Sequence, residues 1–453
     1  MISINKLILV VSTLLTLLIP KEPHAQEKPY SLKVCIDYGL ENHRSNKVYK
    51  NNILKADAQI REGAAAYLPK VNLKGTFDDN LKVQKSVIPG EAIGAAEDRE
   101  IAFTKQFNLN VSAQLDQTVY DQSLITSFKA HKYIRKEAEL NKELNDEDII
   151  YNISTAYYEV LVSLEQINYL TEDLKTYKEQ VEVSNLKVRK GVLTEIDANK
   201  IEVNYRNTLS QLNVAKNTLK VSKNQLKYEM GLPLELPIEV DTTSLDLNIT
   251  PLASTDDFEV FNPTQRTNYN ISNAQIEQLY IDEQRLKYKG LPKIGVYARY
   301  GTVGFGDEPN ETFKGLNDYA AIGLSAQIPL FTGFSKKAQV QQAHYELLNA
   351  QENIALDKEN YTLEYENAKN QLLQASGNLE NDKRTLELSQ STFKATSLQY
   401  NKGVTDLTDW LETQRTLKES QNNYIQSVYS YYEALIELEK AKGTLKSFYK
   451  SLQ

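Results

Sequence analysis

The sequence predicts an α+β membrane protein in which short strands, apolar on one face, are joined to coiled-coil-like helices of unusual length. Three observations predict it. Residues 122–190 contain no Gly or Pro, and residues 334–402 contain only Gly377. Four segments of roughly ten residues alternate apolar and polar side chains with a period of two. The whole set is written twice along 453 residues.

The chain opens on a segment unlike the rest. Lys6 precedes an apolar run from Leu7 to Ile19, broken only by Ser12, Thr13 and Thr16, and a polar stretch leads to Ala25. A positive end, a short apolar core and a small residue before the break read as a secretory signal over residues 1–25, too short to cross a bilayer comfortably. No later segment approaches about 18 consecutive apolar residues, so no transmembrane helix is expected. The single Cys, Cys35, excludes an intramolecular disulfide framework and reads as a small buried hydrophobe. A net charge of −8 speaks against a nucleic-acid partner, which calls for a basic face.

The repeat fixes the organisation. Lys190-Gly191-Val192 recurs as Lys402-Gly403-Val404, and Gly231 recurs as Gly443, both at an offset of 212. Leu68-Pro69-Lys70 recurs as Leu291-Pro292-Lys293 at an offset of 223, so the first copy holds 11 extra residues, assigned to a loop-like segment from Lys85 to Lys105. Repeat 1 occupies residues 26–231, a Pro-containing linker residues 232–262, repeat 2 residues 263–443, and a short tail residues 444–453.

Each copy has the same predicted order. A leading helix, about 40–66 in the first copy and 264–289 in the second, ends at the Leu-Pro pair, because the residue before Pro is pushed out of the helical region. Two strands follow, at about 71–83 and 106–118, then at about 293–304 and 319–330. Next come the long helices, 122–190 and 334–402, each with a predicted length of roughly 100 Å. They return as helices 192–230 and 404–442. The return helices carry a seam spaced at 3.5 residues, Ala198, Ile201, Tyr205, Thr208, Leu212, Ala215, Leu219, Ser222 and Leu226, repeated from Trp410 to Leu438. Large and small residues alternate along it, as knobs-into-holes packing requires.

Four strands with one apolar face suit a membrane barrel whose apolar side meets lipid and whose polar side lines water. Four strands cannot close, and an open edge is not tolerated in hydrocarbon. The chain is therefore expected to share its barrel with copies of itself, and two copies, giving eight strands, would leave no open channel. Three or more remain.

The pattern resembles the TolC family of bacterial outer-membrane exit ducts over essentially the whole mature chain. The features carrying the resemblance are the exported Ser31-Leu32 to Tyr38-Gly39-Leu40 opening, the two Leu-Pro-Lys ends, Ile328-Pro329-Leu330-Phe331-Thr332-Gly333 after the fourth strand, and the two Lys-Gly-Val turns. The resemblance implies a homotrimer with a 12-stranded transmembrane β-barrel, four strands per chain, continued by a periplasmic α-helical barrel. It implies an outer-membrane channel of a tripartite efflux or type I secretion system, working with a periplasmic adaptor (membrane fusion protein) and an inner-membrane transporter. It also implies a gate at the periplasmic tip, just beyond Gly191 and Gly403. Counting from Gly403, the acidic constriction falls on Asp409 and Glu412 and the gate tyrosine on Tyr400; counting from Gly191, the gate aspartate falls on Asp197. The family's arginine two residues after the second glycine is Thr405 here, and the first copy has Thr118 where the second has Pro329. The first departure argues against an arginine lock, leaving acid rings that attract cations.

No enzyme, cofactor or metal site is expected. His24, His43, His131 and His344 are dispersed, and Gly301-Thr302-Val303-Gly304-Phe305-Gly306 lacks the strand-to-helix context of a dinucleotide loop, reading instead as a hairpin between the last two strands. The competing function is an exported structural coiled-coil stalk or adhesin, which shares the helices and signal but gives no reason for two matching pairs of strands.

Overall fold

The computed structural model describes residues 29–94, 96–242 and 260–452. The signal segment 1–25, with His24, and residues 243–259 of the linker lie outside the described residues. The chain begins with α1 (Leu32–Asn42) and α2 (Arg44–Ala64), followed by a 3₁₀ turn, Ala65–Tyr67. The sequence suggests one leading helix here; the structure breaks it at His43, whose extended backbone caps both helices. The corner is fixed by buried Asn46, which donates to Leu40 O at 2.6 Å and accepts from Asn145 Nδ2 at 2.7 Å.

Strand β1 (Lys70–Asp79) leads to a small hairpin, β2 (Lys85–Ile88) and β3 (Arg99–Ala102), in the segment expected to be a loop. β1 stops short of residue 83 because Asn80 turns the chain, its N–H donating to Gln106 O and its Nδ2 to Lys105 O. β4 (Phe107–Tyr120) continues past the expected end through a bulge between Thr118 and Tyr120. Asp121 then caps α3 (Gln122–Ser127), accepting from Ser123 N and Leu124 N. After a 3₁₀ turn, α4 (His131–Arg189) runs 59 residues and returns as α5 (Glu195–Met230).

The second half follows the same order: α6 (Thr267–Tyr288), β5 (Lys293–Gly306), β6 (Asn317–Gln327), α7 (Ser335–Asn401) and α8 (Leu407–Lys442). A final helix, α9 (Leu445–Ser451), occupies the tail. β6 ends before Pro329, which has no N–H to offer a ladder, and α7 starts after two left-handed residues, Gly333 and Phe334. Both return helices begin three residues later than expected, because Thr194 and Asp406 act as N-caps outside the helix.

The four long strands form one antiparallel sheet in the order β1-β4-β5-β6. Register keeps the faces separate. Val71, Leu115, Ala298 and Ile322 align across the sheet on one side, and Asn72, Gln114, Arg299 and Ala321 align on the other. The apolar face is uncovered: Leu73 is 76% and Ile322 86% exposed. β1 and β6 are free edges of this four-stranded sheet.

The helices pack as two hairpins, α4 against α5 and α7 against α8, with α4 also touching α8. The main core lies midway along them, where α1, the end of α5 and the middle of α4 meet α7 and α8. Ile36, Ile153, Tyr157, Leu226, Leu372 and Ile436 are almost fully buried there. Cys35 belongs to it, and burial pushes its thiol pKa up to about 12. Of the α5 seam, Ala198, Ile201, Thr208, Leu212, Ala215, Ser222 and Leu226 are buried, while Tyr205 and Leu219 are half-buried. Two seam glycines also meet the leading helices. Gly231 (φ 71°) lies against His43, where a Cβ would come within 2.9 Å of its Cα, and a Cβ at Gly443 (φ 76°) would come within 3.2 Å of Arg266 Cα. His43 and Arg266 are themselves separated by the upstream offset of 223, so each half makes the same contact with equivalent residues.

Candidate gate at the helical turns

Both hairpin turns are built on a left-handed glycine, Gly191 at φ 68° and Gly403 at φ 75°. A non-glycine residue would strain either position. Val192 N donates to Lys187 O, and Val404 N to Gln399 O, each at 2.9 Å, closing the last helical turn in the same way.

The side chains beyond the turns differ. In the first, Thr194 Oγ1 accepts from Asp197 N at 3.1 Å and donates to Asp197 Oδ2 at 2.8 Å, while Lys200 Nζ reaches Asp197 Oδ1 at 2.9 Å. Those bonds hold the Asp197 carboxyl below its usual range, Lys200 contributing most. In the second, Asp406 Oδ1 accepts from Asp409 N at 3.0 Å, and Thr405 Oγ1 donates to Asp409 Oδ2 at 2.5 Å. Thr405 thus meets Asp409 with a neutral hydroxyl. Glu412 accepts from Arg415 at 2.7 Å, an exposed pair one turn further on.

Tyr400 is buried in a small tip core with Tyr177, Ile201, Leu407 and Trp410. Lys187 Nζ sits 4.4 Å above its ring, and Trp410 is pinned by a 3.1 Å bond from Nε1 to Ser397 Oγ. Burial raises the Tyr400 hydroxyl pKa; Gln180 lies beside it, yet neither Tyr400 Oη nor Gln180 Nε2 has a hydrogen-bond partner of good geometry among the described residues. The structure therefore brings Tyr400 close to Asp197, whose charge helps raise that pKa. Asp409 and Glu412 instead stand exposed on the first turns of α8, with no hydrogen bond or ion pair to Asp197 or Tyr400 among the described residues.

One buried polar pair escaped the sequence reading. Asp173 on α4 is 4% exposed and accepts from Gln414 Nε2 on α8 at 2.9 Å, deep in the helix interface. Asp173 Oδ2 and Gln414 Oε1 are left without partners among the described residues. Burial raises the Asp173 pKa to about 6, more than the bond from Gln414 lowers it. Nearby Lys418, which bonds to Gln211 on α5, has its pKa lowered by burial, so desolvation outweighs mutual attraction for both groups. The signal was present: Asp173 lies between Leu170 and Tyr177 on the apolar stripe of α4, where a solvated acid does not belong. Among the described residues, no group of three or more His, Cys, Asp or Glu side chains is placed to hold a metal, and no helix is long and apolar enough to cross a membrane.

An amphipathic sheet with an uncovered apolar face, standing on two long helical hairpins, defines an outer-membrane channel scaffold. The chain belongs to the outer membrane efflux protein family, whose model matches residues 37–232 and 266–444, one stretch in each half. It is similar to outer membrane protein TolC of Vibrio cholerae, 20% identical over 393 residues covering 85% of this chain and 84% of that one. It is also similar to the alkaline protease secretion protein AprF of Pseudomonas aeruginosa, 20% identical over 313 residues, 66% of this chain and 62% of that one. Among solved structures, the Campylobacter jejuni CmeC outer membrane channel superposes with a TM-score of 0.71 at 17% identity, covering 91% of this chain and 85% of that one. Outer-membrane localisation and a role in efflux or secretion follow from that membership.

Proposed function

We propose that three copies of this chain form a passive exit duct, in which a 12-stranded barrel in the outer membrane continues into an α-helical tunnel through the periplasm. The observation carrying the reading is the sheet itself. Its apolar face is exposed, and its two free edges, β1 and β6, run antiparallel to each other. The β6 edge of one copy can therefore pair with the β1 edge of the next, leaving no edge in hydrocarbon. Aromatic side chains at the end of the sheet remote from the helices, Phe77 stacked between Phe107 and Phe313 at about 6 Å, suit a lipid interface.

At the other end, the tips of six hairpins converge on the axis, and Asp409 and Glu412 from each copy form acidic rings that admit cations and restrict the resting aperture. Tyr400, packed on Tyr177 and Ile201 of the first hairpin and within the field of Asp197, joins the two hairpins at the turns, and opening separates them. Drugs or proteins reach the duct from an inner-membrane transporter through a periplasmic adaptor, a reading supported by the efflux name of the family and the protease-secretion name of one relative. The stalk reading gives no use for an exposed apolar sheet face. Extraction tests the proposal: the protein should leave membranes only with detergent, and release by salt or high pH alone would overturn the barrel.

A further inference from the structure

The polar face of the sheet holds a cation on a purpose-built platform. Arg299, midway along β5, is framed by Tyr297 on its own strand and Tyr319 on β6. Each tyrosine passes close over a glycine of the adjacent strand. A Cβ at Gly323 would come within 2.6 Å of the Tyr297 ring, and one at Gly301 within 2.8 Å of the Tyr319 ring. Tyr319 Oη is held by Asn110 Oδ1 on β4 at 3.1 Å, and the Arg299 guanidinium carbon lies 5.5 Å from the Tyr319 ring centre. The Tyr319 ring passes close over Gly301 and is tied at its hydroxyl, which sets its face beside the guanidinium.

Lys74 on β1 lies in the same row as Tyr319, aligned through Ser112 and Gly301. Neither Lys74 nor Arg299 makes an ion pair with any described residue. Two acids share this face, Asp116 one row from Arg299 and Asp78 two rows from Lys74. Asp116 is opposite Lys70, its Oδ1 occupied by Gln114, and Asp78 is opposite Asn108. Between Asp116 and Asp78, Arg299 and Lys74 are thus two cations without an ion pair among the described residues, and the face as a whole carries three cations, Lys70 included, against two acids.

We propose that Arg299 and Lys74 form an oxyanion-binding belt inside the barrel, a site for solutes bearing phosphate or carboxylate groups and opposite in sign to the acids at the tip. The inference rests on the barrel reading, which makes the polar face the lumen and multiplies the belt by the number of copies. Low-dielectric walls focus such a field, and rings of Arg or Lys select anions in pores. The belt would keep anionic cargo that has passed the tip from being rejected at the exit.

The full-length protein, reconstituted in planar bilayers at low ionic strength, provides the test. Sodium tripolyphosphate added on the barrel side should reduce the current, and the combined Arg299→Gln and Lys74→Gln variant should raise the half-blocking concentration at least tenfold. Arg299→Lys should retain most of the block. Spermine added on the helical side should act equally on all variants, which also reports that they are folded. Wild-type conductance with tripolyphosphate block unchanged by the double variant would overturn the belt while leaving the duct intact. Absence of any conductance from the detergent-purified wild type would overturn the barrel and the belt together. Should the double variant fail to insert, the two single Gln variants carry the reading, and block equal to wild type in both overturns it.

Discussion

The two hairpin turns share a backbone and differ in chemistry. Each closes on a left-handed glycine with the same 2.9 Å bond. Beyond it, the first turn pairs Asp197 with Lys200 beside an exposed Glu195, whereas the second sets Asp406 and Asp409 side by side with only a threonine hydroxyl between Asp409 and solvent. The cores differ too. At the same seam position, 212 residues apart, the first half carries Ala198 and the second Trp410. Geometry at the tip is thus duplicated, while charge and bulk are concentrated in the second copy. A hinge needs the shared part; a selective aperture needs the unshared one.

The largest test of that asymmetry is Trp410→Ala. Trp410 is 2% exposed and contacts the rings of Tyr177, Phe393 and Tyr400. Its truncation should cost about 3–5 kcal/mol and loosen the tip selectively, read as new proteolytic cleavage near the turns. Ala198→Gly in the first hairpin should cost only about 1 kcal/mol. Equal cleavage of the two variants would remove the asymmetry.

Asp173 sharpens the comparison along the helices, since the corresponding residue of α7 is the exposed Thr385. The carboxyl ordinarily titrates near 3.8 and here near 6, so between those values the folded protein holds a proton that the unfolded chain has released. Stability therefore falls as pH rises through that window, and the deficit, up to about 3 kcal/mol per chain, is complete above it. Asp173→Asn keeps the bond to Gln414 without the ionisation. It should raise the denaturation midpoint at pH 7 and flatten its dependence between pH 4 and 6. Glu147 and Asp148, also raised by burial, will leave some slope. A variant no more stable than wild type at pH 7 would mean that Asp173 stays charged and compensated in the fold.

Smaller effects come from the glycines. Gly191→Ala and Gly403→Ala have nothing within 4 Å of the added methyl, so each should cost about 1 kcal/mol from backbone strain alone. Gly231→Ala should cost more, because the methyl also meets the His43 backbone. Denaturation midpoints for the three variants check the ranking.

How much of this was legible in the sequence depends on whether one chain suffices to explain it. The long helices, the glycine turns and the seam from Ala198 to Leu226 are set by local propensity and periodicity, and they were readable. The strands were too, although their ends were misjudged where a single side chain decides them, as at Asn80 and Pro329. The break at His43 was missed because an isolated histidine carries no helix-ending signal; its extended backbone is fixed by Asn46 and Asn145 from another helix. The hairpin β2–β3 was hidden in a segment with turn-like composition. Of the residues proposed for the gate, Tyr400 and Asp197 influence each other within one chain, whereas Asp409 and Glu412 face solvent in it, bonded only to Thr405 and Arg415 of their own helix end, and would meet other acids only in the proposed assembly.

The proposed dependence on assembly makes the acidic pair the most delicate test. Removing Asp409 and Glu412 together should leave the folded chain nearly unchanged, since both are exposed and their bonds to Thr405 and Arg415 are surface contacts. Its effect should appear in the pore, as a few-fold drop in cation preference and a change in single-channel conductance. Asp197→Ala, at an acid already paired with Lys200, should shift ion preference less. If the double variant conducts and selects as wild type does, the aperture lies elsewhere and the uncompensated charge of the second turn has another use. If Asp197→Ala matters as much, the difference between the turns is not one the pore reads.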